Sequence, residues 1–315
     1  MRVHFIGIGG IGLSALARFL NFDGHSVSGS DMKSSSITKE LEKEGIKVSC
    51  PQEAKNISDD LDLVIYSAAV TDENPELIEA RLKQIRTLSR KEALPIILGD
   101  KKNYCVAGAH GKSTTTAILA TILQSSALIG AISKEFGSNF RYVDKTVAFE
   151  ADESDASFLL SNPYCAIVTN AEPEHMEYYQ YDSDKFYESY ETFLSLAKKR
   201  VVNGEDKDIQ KLKIEDATYL YPSKDIKNLC YTLKDGQPCT KFDLKDYGTF
   251  EVWGFGFHIA SNASLAILAA LNELDIETIR KNLLNYEGIK KRFDIVQSND
   301  NFVVIDDYAH HPTEI

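Results

Sequence analysis

The sequence predicts an α/β fold of two successive units. Three observations carry that expectation: a glycine-rich turn at the very start, a second one after residue 104, and short apolar strands that alternate with amphipathic helices around both. In the first unit Val3-His4-Phe5-Ile6 reads as a buried strand, and Gly7-Ile8-Gly9-Gly10-Ile11-Gly12 leads into a helix over Leu13 to Leu20. Further strands are expected over 26–30, 63–66 and near 85–87, with helices over 38–44 and 75–80. Pro95 and the polar run 99–103 mark a break. The second unit opens with a strand over 104–107 and a helix over 114–124. It continues through strands 147–150 and 166–169, a helix 183–197 and a strand 200–203. Between 219 and 252 the pattern turns into short β pieces with Gly-Gln-Pro and Tyr-Gly turns, followed by helices over 258–274 and 276–286. A last strand over 302–305 runs into Asp306-Asp307-Tyr308-Ala309-His310-His311-Pro312, so the expected divisions are 1–99, 100–304 and 305–315. No internal repeat or low-complexity segment interrupts this order.

Composition narrows the function classes. With 315 residues the chain is long enough for about two domains, and a hydrophobic fraction of 43% is enough to build their cores. No apolar run approaches the roughly 20 residues that span a bilayer, and the first strand is too short and glycine-interrupted for a signal peptide. A cytoplasmic location is the expectation. Thirty-five basic against 47 acidic residues give a net charge of −12 without a long basic block, which argues against nucleic acid and anionic membranes as partners. The five cysteines (Cys50, Cys105, Cys165, Cys230, Cys239) are odd in number and lack metal spacing, as expected of reduced thiols; Cys105 and Cys165 read as small core residues.

Chemistry begins at the two turns. In Tyr104-Cys105-Val106-Ala107-Gly108-Ala109-His110-Gly111-Lys112-Ser113-Thr114, an apolar strand passes through glycines into a helix. Gly108 and Gly111 let the backbone approach phosphate oxygens, the N–H groups at the helix start point at them, and Lys112 brings a positive charge. Ser113 falls where a hydroxyl can hold magnesium. The standard P-loop would have glycine at Val106, so the generic motif matches in its second half only, and a plain turn with a surface lysine is the competing reading. At the N-terminus Gly7, Gly9 and Gly12 fit G-x-G-x-x-G, and Asp31, nineteen residues beyond Gly12, stands where a Rossmann enzyme keeps its ribose-binding acid. Taken alone that pattern argues for NAD, or for glycines that merely let helix and strand pack closely. Two phosphate loops in one chain, however, suit a reaction that consumes two phosphorylated ligands.

Ligands of open α/β sheets collect beyond the carboxyl ends of strands. The strand ending at Phe149 delivers Glu150 and then Asp152, Glu153 and Asp155; the strand ending at Thr169 delivers Asn170, Glu172, Glu174 and His175. Glu150 is the candidate acid for a magnesium shared with Ser113. Asp152, Glu153 and Asp155 read either as further acids on the phosphate side or as a solvated acidic loop, the second slightly preferred. His175, on pattern alone, reads as a polar histidine outside the metal shell, because magnesium prefers oxygen.

Together these stretches carry a resemblance. The segment His4 to Ser14, Ser28-Gly29-Ser30-Asp31, Tyr66-Ser67-Ala68-Ala69-Val70, Asn74-Pro75-Glu76, the 108–116 loop, Glu150 to Phe158, Thr169-Asn170 and Asp306 to Pro312 occur in the order found in the Mur ligases, and the chain resembles that family from end to end.

The resemblance implies a Rossmann-like domain for a UDP-sugar over 1–99, held by Gly9, Gly10, Ile11, Gly12, Asp31, Ser67 and Ala68. It implies a central P-loop-type ATPase domain over 100–304, and in 305–315 the hinge and opening of a third domain, without which the chain would be inactive. ATP and Mg2+ are the implied cofactors. By the same analogy ATP meets Gly108, Ala109, His110, Gly111, Lys112, Ser113, Thr114, Asn262 on the adenine side and Asp307 on the ribose. Lys112 and Arg292 contact the terminal phosphates; Ser113, Glu150 and His175 serve the metals, which replaces the first reading of His175. Two departures stand out: the His-Asn pair of the family is His258-Ile259 here, and Glu174 stands where relatives carry aspartate.

The implied reaction joins L-alanine to UDP-N-acetylmuramate through an acyl phosphate, a step of peptidoglycan precursor synthesis. Phosphorylation turns a carboxylate, which repels an amine and has no good leaving group, into an electrophile. Lys112 is then expected to matter for turnover and little for stability. A ligase that attaches a tripeptide to the same sugar nucleotide and an NAD-dependent oxidoreductase are the alternatives; Glu-Ser-Asp-Ala-Ser favours alanine.

Overall fold

The computed structural model describes residues 1–99, 101–299 and 302–309. His310, His311, Pro312 and the remainder of the expected third-domain opening lie outside the described residues. The chain separates into two compact units, Met1–Asp100 and Lys101–Ile315.

In the first unit β1 (Arg2–Ile6), α1 (Ile11–Phe22), β2 (Ser26–Ser30), α2 (Ser36–Lys43), β3 (Lys47–Ser49), β4 (Leu63–Tyr66), α3 (Pro75–Leu82), β5 (Arg86–Ser89) and α4 (Arg90–Leu98) alternate. The strands form one parallel sheet in the order β3-β2-β1-β4-β5. The order reverses beside β1, which places a crevice beyond its carboxyl end. α1 is buried all round from Leu13 to Leu20, with Leu13, Leu16, Phe19 and Leu20 as its large apolar side chains. α4, which the sequence reading omitted, runs up to the expected break and holds Pro95 inside the helix. Ser89 and Glu92 start that helix with a reciprocal capping box, and burial of Ala93, Leu94, Ile97 and Leu98 holds it across the proline. β3, which the sequence reading omitted, is three residues of edge strand without clear alternation.

The second unit begins with β6 (Lys102–Ala107) and α5 (Lys112–Leu123), then β7 (Ser126–Leu128), β8 (Phe140–Arg141), β9 (Thr146–Glu150) and β10 (Pro163–Val168). α6 (Ser183–Leu196), β11 (Lys199–Asn203) and β12 (Thr218–Leu220) complete a seven-stranded sheet in the order β12-β11-β10-β6-β9-β7-β8, parallel except at β8. The β-rich stretch follows as α7 (Pro222–Asp225) and three antiparallel strands, β13 (Ile226–Lys234), β14 (Gln237–Leu244) and β15 (Thr249–Trp253). α8 (Phe257–Ala270), α9 (Ile276–Leu283) and the hairpin β16 (Asp294–Ser298) and β17 (Val303–Asp306) close the described chain.

One apolar core ties the second unit together. α8 contributes Ala260, Ala263, Leu265 to Ala270, and these pack with Ala117 to Ala120 of α5, with Tyr104 and Val106 of β6 and with Phe242 and Phe250 of the small sheet. Small residues on α5 and α8 let the helix axes approach closely and bring the amino end of α8 to the loop between β6 and α5. Cys105 and Cys165 are fully buried in neighbouring strands, as expected, and burial pushes the Cys105 thiol up to about 12. No helix among the described residues is long and apolar enough to cross a membrane.

Candidate active site

β6 ends at Ala107, central in its sheet between β10 and β9, and the chain turns through Gly108 and Gly111 into α5. Gly108 has φ +135°, and a Cβ there would sit 2.2 Å from Thr169 Oγ1 and 2.8 Å from the Asn170 carbonyl. Gly111, the residue before α5, has φ +81° and lies against the Asn262 amide, where a Cβ would meet Oδ1 at 2.7 Å. Only glycine fits both positions. The loop is pinned from β10: the His110 N–H donates to Asn170 Oδ1 at 3.1 Å, and Asn170 Nδ2 and Thr169 Oγ1 donate to the His110 carbonyl at 2.8 and 2.5 Å. The His110 ring faces Glu172 and Glu174 at 3.3 and 3.6 Å. No side chain caps the start of α5, so its first N–H groups open toward the loop, an arrangement suited to an anion.

Lys112 does not point into solvent. Its ammonium donates to the Gly108 carbonyl, to the Ala109 carbonyl at 3.2 Å and to Glu153 Oε1 at 2.8 Å. Burial works against its charge, but Glu153, with Glu150 and Asp152 behind it, outweighs that and holds the amine above its ordinary value. Glu153 is 2% exposed, and burial pushes its carboxyl up against the pull of Lys112. This corrects the reading of Glu153 as part of a solvated acidic loop: the chain turns back after Ala151 and folds this carboxylate inward. Asp152 and Asp155 shape that turn by accepting from the N–H groups of Ser154 and Ser157, each at 3.0 Å.

Glu150 ends β9 and its Oε2 accepts from the Gly130 N–H at 2.7 Å. Ser113 and Thr114 occupy the first turn of α5. Ser113 and Glu150 thus offer the hard oxygen donors that magnesium prefers. His175 is exposed, in the left-handed region at φ 52°, and among the described residues no hydrogen bond or ion pair joins it to the loop. Arg292 precedes β16 and Asp307 follows β17, and the hairpin brings them together: the Arg292 guanidinium lies over the Tyr308 ring at 5.8 Å, and Asp307 accepts from the Phe293 N–H at 2.8 Å. Ile259, where the family carries asparagine, is 7% exposed and packs over Gly254. Asn170, Thr169 and Glu172 are braces whose roles were not assigned from sequence, although their place after a strand end is the signal that marks them.

The first unit holds its own cavity of about 410 Å3, beyond the carboxyl ends of β1 and β4, lined by Gly7, Gly10, Asp31, Ser67 and Asn74 among others. Gly7 (φ +83°) packs on Ser67, whose N–H donates to the Ile6 carbonyl at 3.1 Å. Gly9, Ile11 and Gly12 follow into α1, with Gly12 against Arg90, while Ala68 is exposed and does not line the cavity. Asp31 folds back onto the loop, accepting from the Gly9 N–H at 2.9 Å and the Met32 N–H at 2.7 Å.

Comparison with known proteins agrees with this layout. Residues 2–102 match the model of the Mur ligase family catalytic domain and residues 106–270 that of the Mur ligase middle domain. The whole chain is 59% identical to the UDP-N-acetylmuramate–L-alanine ligase of Campylobacter curvus and 52% to that of Helicobacter pylori, spanning 72% and 70% of those proteins. Among solved structures, the UDP-N-acetylmuramate–alanine ligase of Thermotoga maritima superposes over the full chain with a TM-score of 0.86 at 30% identity, 75% of its own length being covered. A tripeptide-adding ligase from Neisseria, matching 92% of the chain and 99% of its own at a TM-score of 0.76 and 24% identity, shares the fold. Neither alternative gains support, and the chain belongs to the Mur ligase family.

Proposed function

We propose that this chain serves the ATP-dependent ligation of L-alanine to UDP-N-acetylmuramate, with the sugar nucleotide in the cavity of the first unit and ATP on the loop 108–114. The identity of 59% along all 315 residues to a ligase of that specificity carries the reading. The strand–glycine–helix turn with an uncapped α5 supports the phosphate site.

In this reading Gly108 to Thr114 cradle the phosphates through backbone N–H groups, and Lys112 supplies the charge that follows the transferred phosphoryl group. Ser113 and Glu150 would hold Mg2+, with His175 at a second metal, and the bound ions would supply charge that neutralises the phosphate oxygens. Arg292 and Asp307 reach the nucleotide from the 291–309 hairpin, and Asn262 supports the loop at Gly111 on the adenine side. The lactyl carboxylate of the sugar attacks the γ-phosphorus to give an acyl phosphate and ADP; the alanine amine then attacks the acyl carbon, and phosphate leaves. The protein's share is position and charge, and a cytoplasmic setting supplies all three substrates.

The test is phosphate release by the full gene product, with each substrate omitted in turn. Release is expected only when ATP, UDP-N-acetylmuramate and alanine are all present. Turnover with a tripeptide in place of alanine, at equal or higher rate, would replace the specificity proposed here.

A further inference from the structure

The Lys112 ammonium has three N–H donors, and in this structure all three have acceptors: the carbonyls of Gly108 and Ala109 and the carboxylate of Glu153. A phosphate can engage this lysine only by displacing one of them. Glu153 is the one that carries charge, and it competes most strongly. It is also built in: 2% exposed, with its backbone carbonyl accepting from the Tyr179 hydroxyl. Its second oxygen, Oε2, is buried and has no hydrogen-bond partner among the described residues. A carboxylate so buried, with one oxygen on the ammonium and one unsatisfied, presents the lysine with an anion where a nucleotide would otherwise do so.

We propose that Glu153 is an internal stand-in for phosphate, holding Lys112 against the loop until a nucleoside triphosphate takes the ammonium from it. The proposal rests on the reading of 108–114 as the ATP site. The exchange works against nucleotide binding twice, because it breaks a buried ion pair and leaves a carboxylate close to the incoming phosphates. In return the free loop keeps its lysine charged, ordered and next to its working position. Glu153 is thus a positioning residue whose charge lowers ATP affinity without touching the sugar nucleotide.

Titration calorimetry with ATP alone, on the wild-type chain and on Glu153→Gln, tests this. The amide keeps the shape and one acceptor but loses the charge, so the ATP dissociation constant should fall roughly tenfold. The constant for UDP-N-acetylmuramate should not change, and the gain should vanish in a Lys112→Met background. Equal ATP affinity in wild type and Glu153→Gln, weaker binding in the variant, or a full gain without the lysine overturns the exchange and leaves the nucleotide site standing. Absence of ATP binding to the wild-type chain overturns the site and the exchange with it. A second measurement needs no nucleotide: Lys112→Met, which strands the buried carboxylate, should lower the melting temperature, and adding Glu153→Gln should restore at least half of the loss. An unchanged melting temperature in Lys112→Met also overturns the proposal.

Discussion

At the scale of single residues, the burial of charged partners is what most changes expectation. A P-loop lysine read from sequence is a mobile positive charge whose loss costs turnover far more than stability. Here Lys112 is the counter-charge of a 2% exposed carboxylate, and removing one member of such a pair costs about 3–5 kcal/mol. Lys112→Ala is therefore expected to lower the melting temperature as well as the phosphate release that the proposed function requires of the lysine. Glu76 makes a second case. Fully buried at the start of α3, it accepts from Asn56 Nδ2 at 2.6 Å and from the Glu53 N–H at 3.2 Å, and Ser30 and His4 approach its other oxygen. Burial alone would raise its carboxyl; the hydrogen bonds from His4, Ser30 and Asn56 overcome that and hold it below the usual glutamate range. A depressed folded value means stability that is fully present above the ordinary glutamate pKa and lost as pH falls through the folded one. Glu76→Gln should weaken the first unit by about 2 kcal/mol near neutral pH, and the gap to wild type should narrow as pH falls below about 4. Amide-exchange protection of β1 and β2 across that range reads both effects.

Elements set the precision of the phosphate loop. β6 and β10 run parallel in register, Ala107 beside Val168, so Thr169 and Asn170 arrive directly under Gly108 and His110. A side chain at Gly108 would collide with both residues and would also demand an unfavourable φ, strain of roughly 1–3 kcal/mol. Gly108→Ala is expected to reduce ATP affinity at least tenfold in calorimetry. Gly236→Ala, at a β-hairpin turn where φ is +76° and nothing lies within 4 Å of the new carbon, carries similar backbone strain far in sequence from the loop and should leave ATP affinity unchanged. The pair separates damage to the cradle from general strain.

At the scale of the molecule, two compact units each carry one glycine turn at a strand end. If the ligands divide as proposed, hydrogen exchange should resolve them. UDP-N-acetylmuramate should slow exchange over 7–12 and 67–70, and ATP with magnesium over 108–116, each without protecting the other segment. Protection of 7–12 by NAD instead would revive the dehydrogenase pattern that the family membership opposes.

The strands that carry the site were legible in the sequence. Ser26–Ser30 and Leu63–Tyr66 fall where alternation and turn residues put them, and both glycine loops stand at strand ends, because φ preference and hydrophobic period act over a few residues. α4 escaped the reading because a local breaker, Pro95, is overridden there by an apolar face and a capping box, and β3 because three edge residues hold no periodicity. Glu153 was misassigned for a different reason. Forty-one residues separate it from Lys112 and 72 separate Glu76 from His4, and in each case packing, not neighbouring sequence, removes the charge from water. The chain by itself determined where glycine turns lead from strand ends into helix starts. Only the tertiary structure decided which carboxylate holds the lysine, because whether a charge is solvated or buried depends on what the distant chain lays over it.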